Sequence, residues 1–200
     1  MLATLPRPLR DRLAETIVAA LHDPRARDDL AALASGEAAV ATWGGDAVAH
    51  GPSLRERARR ASAALSGRRL DAGPLTRRDA LDAAARLYEV GLFFEVHEVL
   101  EPLWREASGS DREALQGLIQ VAVGYQHLAN GNVAGARTLL AEGAVRLADR
   151  RLEGADLSPF AAAVRASAAA LDAGAPADVD DGDRPAPAEA PPFPRELGVR

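Results

Sequence analysis

From Thr76 to Ala173 the sequence is a run of helical segments separated by short stops, a punctuation that leaves an antiparallel α-helical bundle as the fold. Thr76 with Asp79 three positions on is a helix cap, and the helix it opens is expected to run through Glu106. Ser110 and Glu113 form the next capping box, and Asn130-Gly131 ends the helix between them. Asn132 caps a third helix, ending near Arg151, and Ser158-Pro159 opens a fourth. Gly117, Gly124 and Gly131, seven residues apart, lie on one stripe where another helix can approach closely.

The flanks read differently. Leu9, Leu13, Ile17 and Leu21 share one helical face, so a helix is expected over about 7–22, ended by Pro24. A second spans Pro24 to Ser35, the glycine-rich stretch 42–53 reads as irregular, and Ser53 caps a third helix with Leu54, Ala58, Ala61 and Leu65 inside. Beyond Gly174, prolines, alanines and acids leave almost nothing to bury. The expected organisation is all-α: a helical extension over 1–75, a bundle over 76–173 and a disordered Pro/Ala/acidic tail over 174–200.

Composition removes whole classes of chemistry. Cysteine is absent, which excludes disulfides, thiolate zinc sites and cysteine nucleophiles and makes a reducing cytoplasm the expected location. The 24 basic residues are all arginine, so neither a Schiff-base lysine nor a P-loop lysine exists. No G-x-S-x-G or G-x-G-x-x-G pattern occurs, and no stretch reaches the roughly 18 apolar residues that span a bilayer. No membrane partner is expected. Arg55, Arg57, Arg59, Arg60, Arg68 and Arg69 make a local basic run, yet the net charge is −5, so a solvated helix face is favoured over nucleic-acid contact.

Candidate chemistry gathers in the segment 88–104. Continued as one helix, Leu87, Val90, Phe94, His97, Glu98, Glu101 and Trp104 share a broad face, with Glu95 on its margin. Carboxylates on an apolar stripe need partners. Gln116, Gln120 and His127 form a second polar line on the next helix, with Tyr125 and Trp104 as walls of a cluster, should the two lines meet. Two readings stay open. His97, Glu98, Glu101 and His127 hold a divalent metal ion, with Glu95, Trp104, Gln116, Gln120 and Tyr125 in support, or the same groups form a buried hydrogen-bond network fixing helix register. HEVLE lacks the second histidine of H-E-x-x-H, and no cofactor beyond a metal ion is indicated.

The pieces YEVGLFFEVHEVLEPLW, LQGLIQVAVGYQHLANGN and GARTLL, over residues 86–140, resemble the family called domain of unknown function 309. Its pattern is an F-E-x-H-E-x-x-E-x-x-W helix, a Q-G-L-I-Q helix, a histidine, then G-N and a further helix. On that pattern Phe94, Glu95, His97, Glu98, Glu101, Trp104, Gln116, Gly117, Gln120, His127, Gly131 and Asn132 occupy motif positions. The resemblance implies an all-helical bundle and carries over no activity.

The expectation from sequence is a helical binding or structural module with a buried Glu/His/Gln cluster, self-associating as a homodimer because its apolar fraction exceeds what a thin bundle hides. The alternative is a metal-dependent hydrolase using Glu98, Glu101, His97 and His127. Whether the chain is an enzyme, and what small molecule it takes, the sequence leaves open.

Overall fold

A computed structural model describes residues 4–68, 75–173, 190–194 and 197. The chain forms two compact units, Met1–Leu100 and Glu101–Arg200, and the division falls inside one helix. Nearly all regular structure is helical, as the sequence predicts, and among the described residues no helix is long and apolar enough to cross a membrane.

The first unit opens with α1 (Arg7–Ala19), whose Leu9, Leu13 and Ile17 are buried as their spacing requires. It stops before residue 22 because Asp23 turns the chain: its amide donates to Ala19 O and its carboxylate accepts from Arg25 N, both at 2.9 Å. That bond caps α2 (Pro24–Ser35), which has the expected limits. The stretch 42–53, expected to be irregular, instead contains α4 (Gly45–Ala49), a single turn that follows another, α3 (Glu37–Ala41). In α5 (Gly51–Leu65), Leu54, Ala58, Ala61 and Leu65 are buried. It begins ahead of Ser53 because Pro52 fits a first helical turn. α5 packs on α2 and on α6 (Arg77–Glu89), which starts at the reciprocal Thr76–Asp79 cap.

The helix expected to continue to Glu106 breaks at Gly91, and α7 (Phe93–Glu106) begins afresh. Gly91 has φ +73°, its amide donates to Tyr88 O at 3.0 Å, and Leu92 N reaches back to Leu87 O at 2.9 Å. Those two bonds satisfy the terminal carbonyls of α6, and only glycine adopts the required backbone without cost.

In the second unit, α8 (Gly109–Ala129) starts earlier than the Ser110 box predicts, from Ser108, and Glu113 takes Arg146 as its partner instead of closing a cap. α8 ends in the same kind of stop as α6, with Gly131 at φ +77° and Asn132 N donating to His127 O at 2.9 Å. Asn132 then caps α9 (Val133–Leu147), its Oδ1 accepting from Gly135 N at 2.9 Å. A Cβ on Gly117 would lie 2.8 Å from Leu147 Cγ, one on Gly124 2.9 Å from Leu140 Cγ, and one on Gly143 2.8 Å from Val121 Cγ2. Partner numbers fall along α9 as they rise along α8, so the pair runs antiparallel with glycine seats filled from both sides.

α9 stops short of Arg151 because the chain turns into a hairpin that the sequence reading missed. β1 (Arg151–Leu152) pairs antiparallel with β2 (Ala155–Asp156) across Glu153 and Gly154, both at positive φ, which matches the favoured two-residue hairpin turn. α10 (Ser158–Ala173) packs on α9. Of the stretch expected to be disordered, 174–189 lies outside the described residues, whereas Phe193 and Leu197 are buried, Phe193 with its ring 5.7 Å from that of Phe160.

Candidate functional site

The break at Gly91 resets the phase of α7, and with it the identity of the buried acid. A continuous helix would turn His97, Glu98 and Glu101 inward; in α7 the buried residues are Glu95, Val96, Val99 and Leu100. The side chains of His97, Glu98 and Glu101 keep 28%, 33% and 29% exposure, on the flank of that face. The expectation of a buried cluster is corrected accordingly: the fully enclosed carboxylate is Glu95, which sequence periodicity put on the margin.

Glu95 is fully buried, and its counter-ion comes from outside the family-like segment. Arg57 of α5, itself buried, brings Nη1 to 3.7 Å from Glu95 Oε1. Burial pushes the Glu95 carboxyl above its usual range, opposed first by the Arg57 charge, while burial lowers the Arg57 guanidinium. Nearby, Arg10 stacks 4.0 Å from the Phe94 ring centroid, and Arg60 Nη1 donates to Val90 O at 3.1 Å, at the end of α6. A signal for Arg57 existed in the sequence: it sits three residues after Leu54 and four before Ala61, on the inner face of its helix.

One turn further along α7, local helix geometry gathers His97, Glu98 and Glu101. One ligand atom from each lies within 4.8 Å of the others. His97 Nδ1 is 2.9 Å from Glu98 Oε1, and Glu101 Oε1 accepts from Arg105 Nη2 at 2.8 Å. Pro102, inside the helix, has no N–H for the Glu98 carbonyl. An imidazole with two carboxylates offers one nitrogen and two oxygen donors, a set that suits borderline divalent ions and not soft ones.

The remaining candidates have local engagements. His127 Nδ1 lies 2.7 Å from Asn132 Nδ2, at the stop of α8. Gln120 donates to Glu142 Oε2 at 2.8 Å, pinning α8 to α9, and Gln116 is half-buried on α8. Tyr125 is buried, and burial pushes its hydroxyl above its usual range, opposed by Ser167 of α10. Arg112 covers the Trp104 ring at 4.0 Å and donates to the Trp104 carbonyl at 2.8 Å.

The basic run is largely paired. Arg55 meets Glu37, Arg59 and Arg60 share Glu56, and Arg68 bonds Asp82 at 3.0 Å; Arg69 lies outside the described residues. No curated protein and no solved structure matches the chain. Residues 81–139, from α6 into α9, match the model of the family described as domain of unknown function (DUF309).

Proposed function

We propose that this chain is a helical binding module and that its ligand is a divalent cation held by His97, Glu98 and Glu101 of α7. The observation that carries the reading is the convergence of one nitrogen and two oxygen donors within 4.8 Å on the rim of the helix, each still reachable from water. Binding would exchange the His97–Glu98 contact and the Glu101–Arg105 pair for bonds to the ion, both being part-exposed pairs that cost little to give up. The buried Glu95–Arg57 pair stays behind it as structure.

Calorimetric titration of the full chain with Mn²⁺ and with Zn²⁺ tests this. About one ion per chain, lost in Glu98→Gln and Glu101→Gln but kept in His50→Ala, is the expected result. No uptake by the wild-type chain refutes it. The hydrolase alternative draws on the same three donors, which leave coordination positions for a water. It predicts ester or phosphoester turnover by the ion-loaded chain, and binding without turnover removes it. A cytoplasmic homodimer completes the proposal, with light scattering as the check on oligomeric state.

A further inference from the structure

Arg105 stands one turn after Glu101 on α7, and its Nη2 donates to Glu101 Oε1 at 2.8 Å. The two side chains keep 66% and 29% exposure, so water competes for both groups and the pair is weak. The end of the helix does not need Arg105 as a cap. Arg112 of α8 already donates to the carbonyls of Trp104, Arg105 and Ala107, at 2.8, 3.4 and 3.4 Å, the service that a cation near a helix C-terminus commonly gives.

A cation on Glu101 changes what Arg105 faces. Bonds from a divalent ion to a carboxylate oxygen run about 2.0–2.2 Å, so a guanidinium nitrogen 2.8 Å from that oxygen starts at most about 5 Å from the ion. Two positive groups at that range repel, and Arg105 has lost the carboxylate it was paired with. Charge balance points the same way: Glu98, Glu101 and Arg105 sum to −1, His97 is neutral as a ligand, and a divalent ion takes the group to +1. Three protein donors also leave the ion with open coordination positions. An oxyanion meets all of these conditions at once, with one oxygen on the ion, a second accepting from the guanidinium fork, and its negative charge between two positive ones.

We propose that, with the cation held by His97, Glu98 and Glu101 as in the function proposed for this chain, the further ligand of the site is a small oxyanion, a phosphomonoester or carboxylate group, that bridges the ion and Arg105. Arg105 thus has two partners in turn: Glu101 in the empty site and the oxyanion in the filled one. Ion and oxyanion bind cooperatively, each raising the affinity of the other by the same factor.

The test follows free Mn²⁺ by its electron paramagnetic resonance signal during titration into the full-length chain and its Arg105→Gln variant, alone and with saturating methylphosphonate or acetate. Without an anion, the variant is expected to hold Mn²⁺ about two- to fivefold tighter than wild type, because nothing competes for Glu101. The anion is expected to tighten Mn²⁺ binding by wild type at least about fivefold and by the variant less than about twofold, and whichever of the two anions acts more strongly identifies the group. Equal anion effects in the two chains, or none in wild type, overturn the bridge and leave the cation site standing. A variant that holds Mn²⁺ more weakly than wild type in the absence of anion overturns the exchange of partners by Arg105. No Mn²⁺ uptake by wild type under any of these conditions overturns the cation site itself, and the bridge with it.

Discussion

Removing either member of the Arg57–Glu95 pair should damage the fold far more than removing both. At 3.7 Å and an effective dielectric of about 20, the attraction is about 4–5 kcal/mol. Each ion also forfeits its hydration, so the pair itself is near balance, while an orphaned buried charge costs about 3–5 kcal/mol. Arg57→Met and Glu95→Leu should therefore each lose about 3–5 kcal/mol in urea denaturation followed by circular dichroism, and the double variant should return to within about 1–2 kcal/mol of wild type. The pH dependence separates the two single variants. Burial already raises the folded-state pKa of Glu95, and without Arg57 nothing nearby opposes it as strongly. A raised carboxyl contributes stability that is fully present below its unfolded value, about 4.3, and is lost as pH rises through the folded value. The penalty of Arg57→Met should accordingly grow between pH 4 and pH 8, and that of Glu95→Leu should not share this growth. Additive single effects, or a penalty for Arg57→Met that ignores pH, would refute the reasoning.

Two further outcomes follow from the geometry. A Cβ at position 143 meets Val121 Cγ2 at 2.8 Å and the Gly117 carbonyl oxygen at 3.0 Å, so Gly143→Ala should melt about 2–8 °C lower despite the better helix propensity of alanine; Gly45→Ala, with nothing within 4 Å, should be neutral or slightly stabilising. Hydrogen bonds from Arg59 and then Arg60 lower the Glu56 carboxyl to about 2, so its contribution is present above the unfolded value and disappears as pH falls towards 2. Carbon-detected NMR should find that midpoint near 2 at low salt and higher in 1 M salt, where an exposed pair is screened; a midpoint near 4.5 at low salt contradicts the pairing.

Sequence reading succeeded where a local rule has a local cause. Thr76 with Asp79, Pro24 after Asp23, and Asn132 before α9 each place a helix end through a side-chain bond or a fixed φ, and the structure has all three. It failed at Val90-Gly91-Leu92, where apolar spacing continues smoothly through a glycine and periodicity alone cannot distinguish a tolerated glycine from a stop. That one miss propagated: with the phase carried over from α6, Glu95 looked marginal and Glu98 and Glu101 looked interior. The hairpin at 151–156 escaped because strands of two residues have no period to read. Arg57 escaped for a different reason, since an arginine amid arginines reads as a solvated face unless its register with Leu54 and Ala61 is weighed.

The interlock of α8 and α9 has a consequence for how change could pass through the second unit. Leu147 over Gly117, Leu140 over Gly124 and Val121 over Gly143 make three teeth that engage in one alignment only. Sliding α9 by a single residue would advance it about 1.5 Å and turn it about 100°, bringing side chains onto backbone at all three places. The pair thus works as a splined shaft: it can tilt or move as one body, and it has no neighbouring notch to settle in. The family stretch ends at residue 139, immediately before Leu140, so the leucines that seat on its glycines come from the chain just outside it. Cutting this chain after residue 139 would remove Leu140 and Leu147 and expose Gly117 and Gly124 as empty sockets.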